Sequence, residues 1–367
     1  MLIDLIAGAR PNFMKIAPIT RAIRQAAARG AQVGFRLIHT GQHYDRNMSH
    51  TFFEELNIPE PDFNLGAGGG TQAEQTAAIM VGYEQLLMEH GKPDFCLVVG
   101  DVTSTMACSI TAQKLHVKVV HVEAGIRSGD WSMPEEINRL VTDAITDYFF
   151  TTTEIANNHL RRAGVGEDRI FLVGNTMIDT LLANMDRFSP PPFWDAYGLH
   201  AGEYLVLTLH RPANVDHPDT LRLLLDEILR HARGNTIVFP VHPRTRKVID
   251  GIGFEHERLK MVDPLGYLQF NYLVKHARAV ITDSGGITEE TTVMGVPCMT
   301  LRDTTERPET VEIGTNELLG VDPGAIRPAL DKLFSGAWKK GSIPPLWDGQ
   351  TAERIIEIMC TLHRARA

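Results

Sequence analysis

One pattern recurs along this chain and leaves few folds open to it. A short apolar run ends in a glycine-bearing or charged turn, and a stretch with helical periodicity follows. Leu2–Ala7 leads into Gly8-Ala9-Arg10-Pro11-Asn12, then a helical stretch over Phe13–Ala28, then a second apolar run over Phe35–Thr40. Strand, turn, helix and strand make a βαβ unit, and its repetition predicts a parallel sheet. Further strands are expected over Phe95–Val99, Lys118–Val120, Tyr148–Thr151 and Ile170–Val173. A second series opens at Tyr204–Leu209 and continues through Thr236–Val241, Ala279–Thr282 and Pro297–Leu301. With 367 residues the chain exceeds what one hydrophobic core usually serves. The reading is therefore α/β, with two Rossmann-like, doubly wound domains facing a cleft. The first spans 1–173 and the second 174–350, with Gly174-Asn175 as the hinge. The cleft between such halves is the default ligand site.

Charge narrows the choice of ligand. The formal net charge is −9 and no long Lys/Arg run occurs, so neither nucleic acid nor an anionic membrane is expected as the partner. Local arginines still allow an anionic small molecule. The 4 cysteines have neither metal nor redox spacing, which points to reduced thiols. The opening MLIDLIAGARPNF has no basic leader and reads as a first strand. No apolar run approaches the length that spans a bilayer, and a cytoplasmic protein is expected.

Open α/β sheets bind ligands at the carboxyl ends of their strands, so the residues placed there carry the functional argument. The stretch His121–Arg139 follows a strand and brings Glu123, Arg127, Asp130, Glu135, Glu136 and Arg139. A second acidic strand end, Val98-Val99-Gly100-Asp101, lies just before it. Carboxylates in one site can divide acid and base work when their surroundings differ. A solvated loop with surface ion pairs is the plainer alternative, weakened by the strand-end position. Gly8-Ala9-Arg10-Pro11, with Lys15 a turn later, puts two cations at a helix start, where anions bind; an ordinary βα turn fits equally. In Thr282–Glu290 an apolar strand runs into Ser284-Gly285-Gly286 and a helix, which suits a pyrophosphate, with Glu290 one turn on. A serine-capped helix start is the alternative there. Arg307 lies in a charged loop after a strand, and His210-Arg211 end another strand. No zinc spacing, nucleophile elbow, Walker loop or dinucleotide glycine fingerprint is present.

These blocks together resemble a known family. GARPNFMK (8–15), GQHYD (41–45), GDVTST (100–105), HVEAGIRSGD (121–130), MPEEINR (133–139), GNTMID (174–179), DSGGITEE (283–290) and RDTTERPE (302–309) follow, in order and spacing, the non-hydrolysing UDP-N-acetylglucosamine 2-epimerases. The resemblance implies a glycosyltransferase-B-like fold whose last helix, here Thr351–Arg364 within 351–367, returns to the first domain. It implies a homodimer without a nicotinamide cofactor, acting on a UDP-sugar, and no metal is expected from the ligand spacings. It places Asp101, Glu123 and Glu135 on the family's catalytic carboxylates. Arg10, Lys15 and His210 fall on its substrate and diphosphate contacts, with His210 grouped among the catalytic residues. Phe270 falls on the residue that packs on uracil, Ser284, Gly285 and Gly286 on the UDP loop, Glu290 at the ribose, and Arg307 on a further UDP contact. The GQHYD form also resembles relatives acting on UDP-2,3-diacetamido-2,3-dideoxy-glucuronate. That is the alternative substrate, and a UDP-sugar glycosyltransferase is the alternative of another class. At Pro212-Ala213 and Tyr44-Asp45 the chain departs from many bacterial members, in blocks that serve a second, activating substrate site. Hyperbolic kinetics are the expectation.

Overall fold

Buried parallel strands need apolar side chains on both faces, and the chain supplies them as continuous runs. The computed structural model describes residues 1–41 and 54–366; the side chains of Arg10 and Pro11 lie outside what it describes. The first half of the chain runs β1 (Leu2–Ala7), α1 (Arg10–Ala28), β2 (Gly34–His39), β3 (Phe63–Asn64), α2 (Gln72–His90), β4 (Phe95–Val99) and α3 (Thr103–Lys114). It continues through β5 (Lys118–Val122), α4 (Pro134–Ile145), β6 (Tyr148–Thr151), α5 (Glu154–Arg162), β7 (Ile170–Leu172) and α6 (Thr176–Asn184). The strands form one parallel sheet in the order β3-β2-β1-β4-β5-β6-β7. Strand order reverses between β1 and β4, which opens a crevice at their carboxyl ends. Ile6, Ile38, Cys96, Val98 and Val119 turn one face of the sheet toward Ile79, Tyr83 and Leu87 of α2 and Ala107 and Cys108 of α3.

The second half runs β8 (Tyr204–Thr208), the short α7 (Pro212–Val215), α8 (Pro218–His231), β9 (Thr236–Pro240), α9 (Pro243–Gly251), β10 (Leu259–Val262) and α10 (Tyr267–Lys275). Then come β11 (Ala279–Thr282), α11 (Gly285–Met294), β12 (Cys298–Thr300), α12 (Pro308–Glu312), β13 (Asn316–Leu318), α13 (Ile326–Phe334) and α14 (Thr351–Arg364). Its sheet has the order β10-β9-β8-β11-β12-β13, again wholly parallel, with the reversal between β8 and β11. Alternation along β8 sends Leu205 and Leu207 to one core with α8 and α13, and Tyr204 and Val206 to another with Leu273 and Val274 of α10. Each such aliphatic side chain, fully buried, contributes about 1.5–3 kcal/mol.

The chain divides into two compact units, residues 1–183 with 345–367, and residues 184–344. The expected boundaries at 173/174 and 350/351 thus differ from the observed ones. α6 is held in the first unit by hydrogen bonds. Thr180 donates to the carbonyl of Met14 at 2.5 Å, and Asp179 accepts the backbone N–H groups of Thr351 and Ala352 at 3.1 and 2.7 Å. Asp179 thereby caps α14 from 172 residues away. Trp347, in the segment leading to α14, is buried and donates to the carbonyl of Thr152. Among the described residues, no helix is long and apolar enough to cross a membrane.

Candidate active site

In the first unit the site begins with Asn12. It stands three residues past Ala9, the N-cap of α1, and its Oδ1 accepts the N–H groups of Gly8 and Ala9 at 3.1 and 2.9 Å. Its Nδ2 donates to the carbonyl of Val99 at 3.0 Å, tying the β1 turn to the end of β4 across the strand-order reversal. Lys15, one turn along α1, reaches Glu123 at the end of β5, with Nζ 2.6 Å from Oε2. The side chains are 10% and 1% exposed, so this pair is held away from water. Glu123 has φ +67°, the left-handed region that a non-glycine residue rarely occupies. Such strain gathers at functional sites and costs about 1–3 kcal/mol. Gly100 shares that conformation with φ +67°, and a Cβ there would meet Lys15 Nζ at 2.9 Å.

Asp101 follows Gly100 and is one-third open, with its Oδ2 3.1 Å from Nε of the buried Arg139. Arg139 also reaches Glu136 at 2.6 Å, and Asn138 donates to the Asp101 carbonyl at 2.9 Å. Glu136 in turn accepts the N–H groups of Ser128 and Gly129 and so fixes the loop before α4. Glu135 sits in the first turn of α4, half-buried, without an ion pair among the described residues. Beneath these groups, the buried His121 bridges Asp143, at 2.7 Å, and the carbonyl of Gly100, at 2.8 Å. Burial pushes the Asp143 carboxyl up, but His121 and Arg127 more than offset this and hold it below the usual range.

Of the residues expected in this unit, Lys15 on α1 pairs with Glu123 just past the end of β5, Asp101 lies just past the end of the adjacent β4, and Glu135 stands on the helix that carries Arg139. The Arg10 side chain and Gln42–Asp45 of the GQHYD block lie outside the described residues. Arg139, named from the strand-end stretch but given no role, and Asn138, which the pattern did not single out, complete the arrangement. Asn12 did leave a local signal, as the residue three places after a helix N-cap.

In the second unit, His210 ends β8 and Asp283 ends β11, the two strands that flank the reversal. His210 Nδ1 lies 2.7 Å from Asp283 Oδ1; the imidazole is half exposed and the carboxylate fully buried. Ser284 is the N-cap of α11, yet its side chain makes no capping hydrogen bond. The serine-capped start considered from the sequence is therefore not what forms. The first N–H groups of α11, at Gly285 and Gly286, end the helix with its positive dipole. Beside Gly285 stands a two-pronged ion pair, Arg302 to Glu306, with both contacts at 2.8 Å. Burial raises the Glu306 carboxyl, but Arg302 outweighs it and brings the group down to about 2.

Glu290 lies deeper along α11 and accepts from Tyr267 at 2.9 Å and from Asn271 at 3.5 Å, both on α10. Phe270 is on the same helix, partly buried. Arg307 is set against Glu289, with Nε 2.6 Å from Oε1. Among the described residues, no group of three or more His, Cys, Asp or Glu side chains is placed to hold a metal ion.

The family model for UDP-N-acetylglucosamine 2-epimerase matches residues 25–360. The chain belongs to this family. A UDP-N-acetylglucosamine 2-epimerase of Methanocaldococcus jannaschii is 40% identical over 98% of this chain and 99% of its own length. A UDP-2,3-diacetamido-2,3-dideoxy-D-glucuronate 2-epimerase of Pseudomonas aeruginosa is 39% identical over 87% of this chain and 88% of its own. The crystal structure of the M. jannaschii UDP-GlcNAc 2-epimerase, in complex with UDP-GlcNAc and UDP, matches with a TM-score of 0.88 over 98% of this chain and all of that one. The 2-epimerase family thus accounts for both sheets and for the paired Rossmann-like architecture read from the sequence.

Proposed function

We propose that this chain is a non-hydrolysing UDP-N-acetylglucosamine 2-epimerase that interconverts UDP-GlcNAc and UDP-ManNAc. The observation that carries the reading is a pair of carboxylates at adjoining strand ends, Asp101 and Glu123, each set against a buried cation, in a chain of this family. Carbon 2 of the sugar bears a hydrogen that is not acidic, so its removal needs a positioned base. One carboxylate takes that proton. The C2–H electrons become the C1–C2 double bond, the C1–O bond breaks, and UDP leaves 2-acetamidoglucal behind. A second carboxyl, with Glu135 among the three candidates, then protonates the opposite face of C2, and UDP adds back to C1. Charge grows on the departing diphosphate, and cations aimed at it lower the barrier. Arg10, Lys15 and His210 take that part, with the start of α11 at Ser284, Gly285 and Gly286. Phe270 packs on the uracil, Glu290 binds the ribose, and Arg307 adds a further contact. The first unit supplies the carboxylates and the second holds the UDP, and the enzyme works as a homodimer without a nicotinamide cofactor.

The Pseudomonas relative favours one second reading, the 2,3-diacetamido uronate as substrate, at nearly the same identity. Proton NMR of UDP-GlcNAc with the enzyme in D2O separates the two. The expected outcome is UDP-ManNAc with deuterium at carbon 2 of both sugars. Free ManNAc and UDP would make the enzyme a hydrolase. No change, from protein that binds UDP, would move the assignment to the uronate. Glu123→Gln should abolish the exchange and leave UDP affinity within a few-fold; lost UDP binding would make Glu123 a structural group.

A further inference from the structure

The second unit holds a buried carboxylate to which neither the strand pattern nor the family resemblance gave a role. Asp283 is fully buried at the end of β11 and is surrounded by donors. It accepts the backbone N–H groups of His210 and Arg211 at 3.0 and 2.9 Å and the side-chain amide of Asn214 at 3.1 Å. Its Oδ1 also lies 2.7 Å from Nδ1 of His210. Asn214 donates in addition to the Leu301 carbonyl at 3.1 Å, so this cradle joins three strand ends, those of β8, β11 and β12. Burial pushes the carboxyl up, but His210 and the other donors outweigh it and hold it below the ordinary range. Asp283 is therefore an anion, and an ionised carboxylate only accepts hydrogen bonds. The imidazole nitrogen that faces it must carry the hydrogen.

We propose that Asp283 is a positioning residue that fixes the hydrogen of His210 on Nδ1 and presents Nε2 to the diphosphate. Once Nδ1 is committed to Asp283, Nε2 can donate to a phosphate oxygen only by carrying a second proton. His210 then meets the ligand as an imidazolium whose charge is balanced from behind by Asp283. A cation is thus available where negative charge grows on the leaving group, and the carboxylate that sustains it never touches the substrate. The diphosphate role of His210 rests on the function proposed above; its tautomer does not.

The test uses the full chain labelled with 15N-histidine, with the His210 signals assigned by their loss in His210→Gln. In the unliganded protein, long-range proton–nitrogen correlations should show the hydrogen on Nδ1. With saturating UDP both nitrogens should carry one. In Asp283→Asn the side-chain amide can donate to Nδ1, so the hydrogen should move to Nε2 and the doubly protonated form should not appear with UDP. Turnover should fall about 10²–10⁴-fold, as when the aspartate of a serine-protease triad becomes asparagine and the histidine takes the wrong tautomer. The Kd for UDP should rise less than about tenfold, because an N–H donor still faces the phosphate. A hydrogen on Nε2 in the unliganded parent overturns the proposal, and so does Asp283→Asn with unchanged turnover. If Asp283→Asn does not fold, the tautomer of the parent decides alone. A parent that turns over no UDP-sugar would overturn the proposed function and leave the tautomer result standing.

Discussion

At the scale of single residues, Glu290 carries the clearest pH signature. Burial raises its carboxyl; Tyr267 opposes this, Glu289 adds to it and Asn271 opposes it, and the group ends at about 7 against an ordinary 4.5. Between those values the native chain holds a proton that the unfolded chain has released. Stability therefore falls as pH rises through this window, and the full cost is present above about 7. The difference amounts to about 3 kcal/mol. Glu290→Gln should flatten the slope and be the more stable protein at pH 8. Urea unfolding between pH 5 and 8 reads this, and parallel profiles for the two proteins would reject it. Glu290 was legible as an acidic residue one turn into a helix after Ser-Gly-Gly. Its surroundings were not, because Tyr267 and Asn271 come from α10, 23 and 19 residues away. The same holds at Asp101, whose partner Arg139 is 38 residues distant. Strand ends can be read from a local pattern, whereas ion-pair partners are set by which strands become neighbours.

At the scale of elements, the turn at Gly100 joins β4 to α3 and allows Lys15 to reach Glu123. Gly100→Ala puts a Cβ into a left-handed position, at roughly 1–2 kcal/mol, and sets it against a lysine nitrogen already engaged at 2.6 Å. The strain is modest in stability and direct in its effect on the pair. Turnover should fall at least tenfold while the unfolding midpoint moves by a few degrees. Near-normal turnover would show that the Lys15–Glu123 contact is dispensable. The strands that the sequence left unread were β3, β10 and β13, all edges of their sheets. An edge strand has one neighbour and a partly wet side, so its residues need not form an apolar run. Phe63–Asn64 is two residues long, and Leu259–Val262 is buried at its two ends alone, with Lys260 and Met261 half-buried between them. Central strands such as Phe95–Val99, buried at every residue, were legible because nothing but an apolar run can occupy such a position.

At the scale of the whole molecule, α14 decides how the first unit is completed. Ile355, Ile356 and Met359 bury its apolar face, and Asp179 satisfies its first two N–H groups. Asp179→Ala leaves those donors without the carboxylate and should cost about 1–2 kcal/mol. Hydrogen exchange read peptide by peptide should place the loss in residues 1–183 and 345–367 and spare 184–344. An equal loss in both units would contradict the assignment of α14 to the first. The family resemblance implied that the last helix returns to the first half; the expected boundary at 173 assigned α6 to the second half, because its attachment depends on hydrogen bonds and not on periodicity.

Because the first unit is discontinuous, its folding is tied to the order of synthesis. Residues 184–344, 161 residues in all, leave the ribosome before the segment that closes the first unit exists. At ~5–20 residues per second that is a wait of roughly 8–32 s. Throughout it, the side of α1 that α14 will cover faces solvent on a nascent chain. A ribosome that stalls within the second unit leaves that patch open for as long as it stalls, within reach of chaperones and of other unfinished copies.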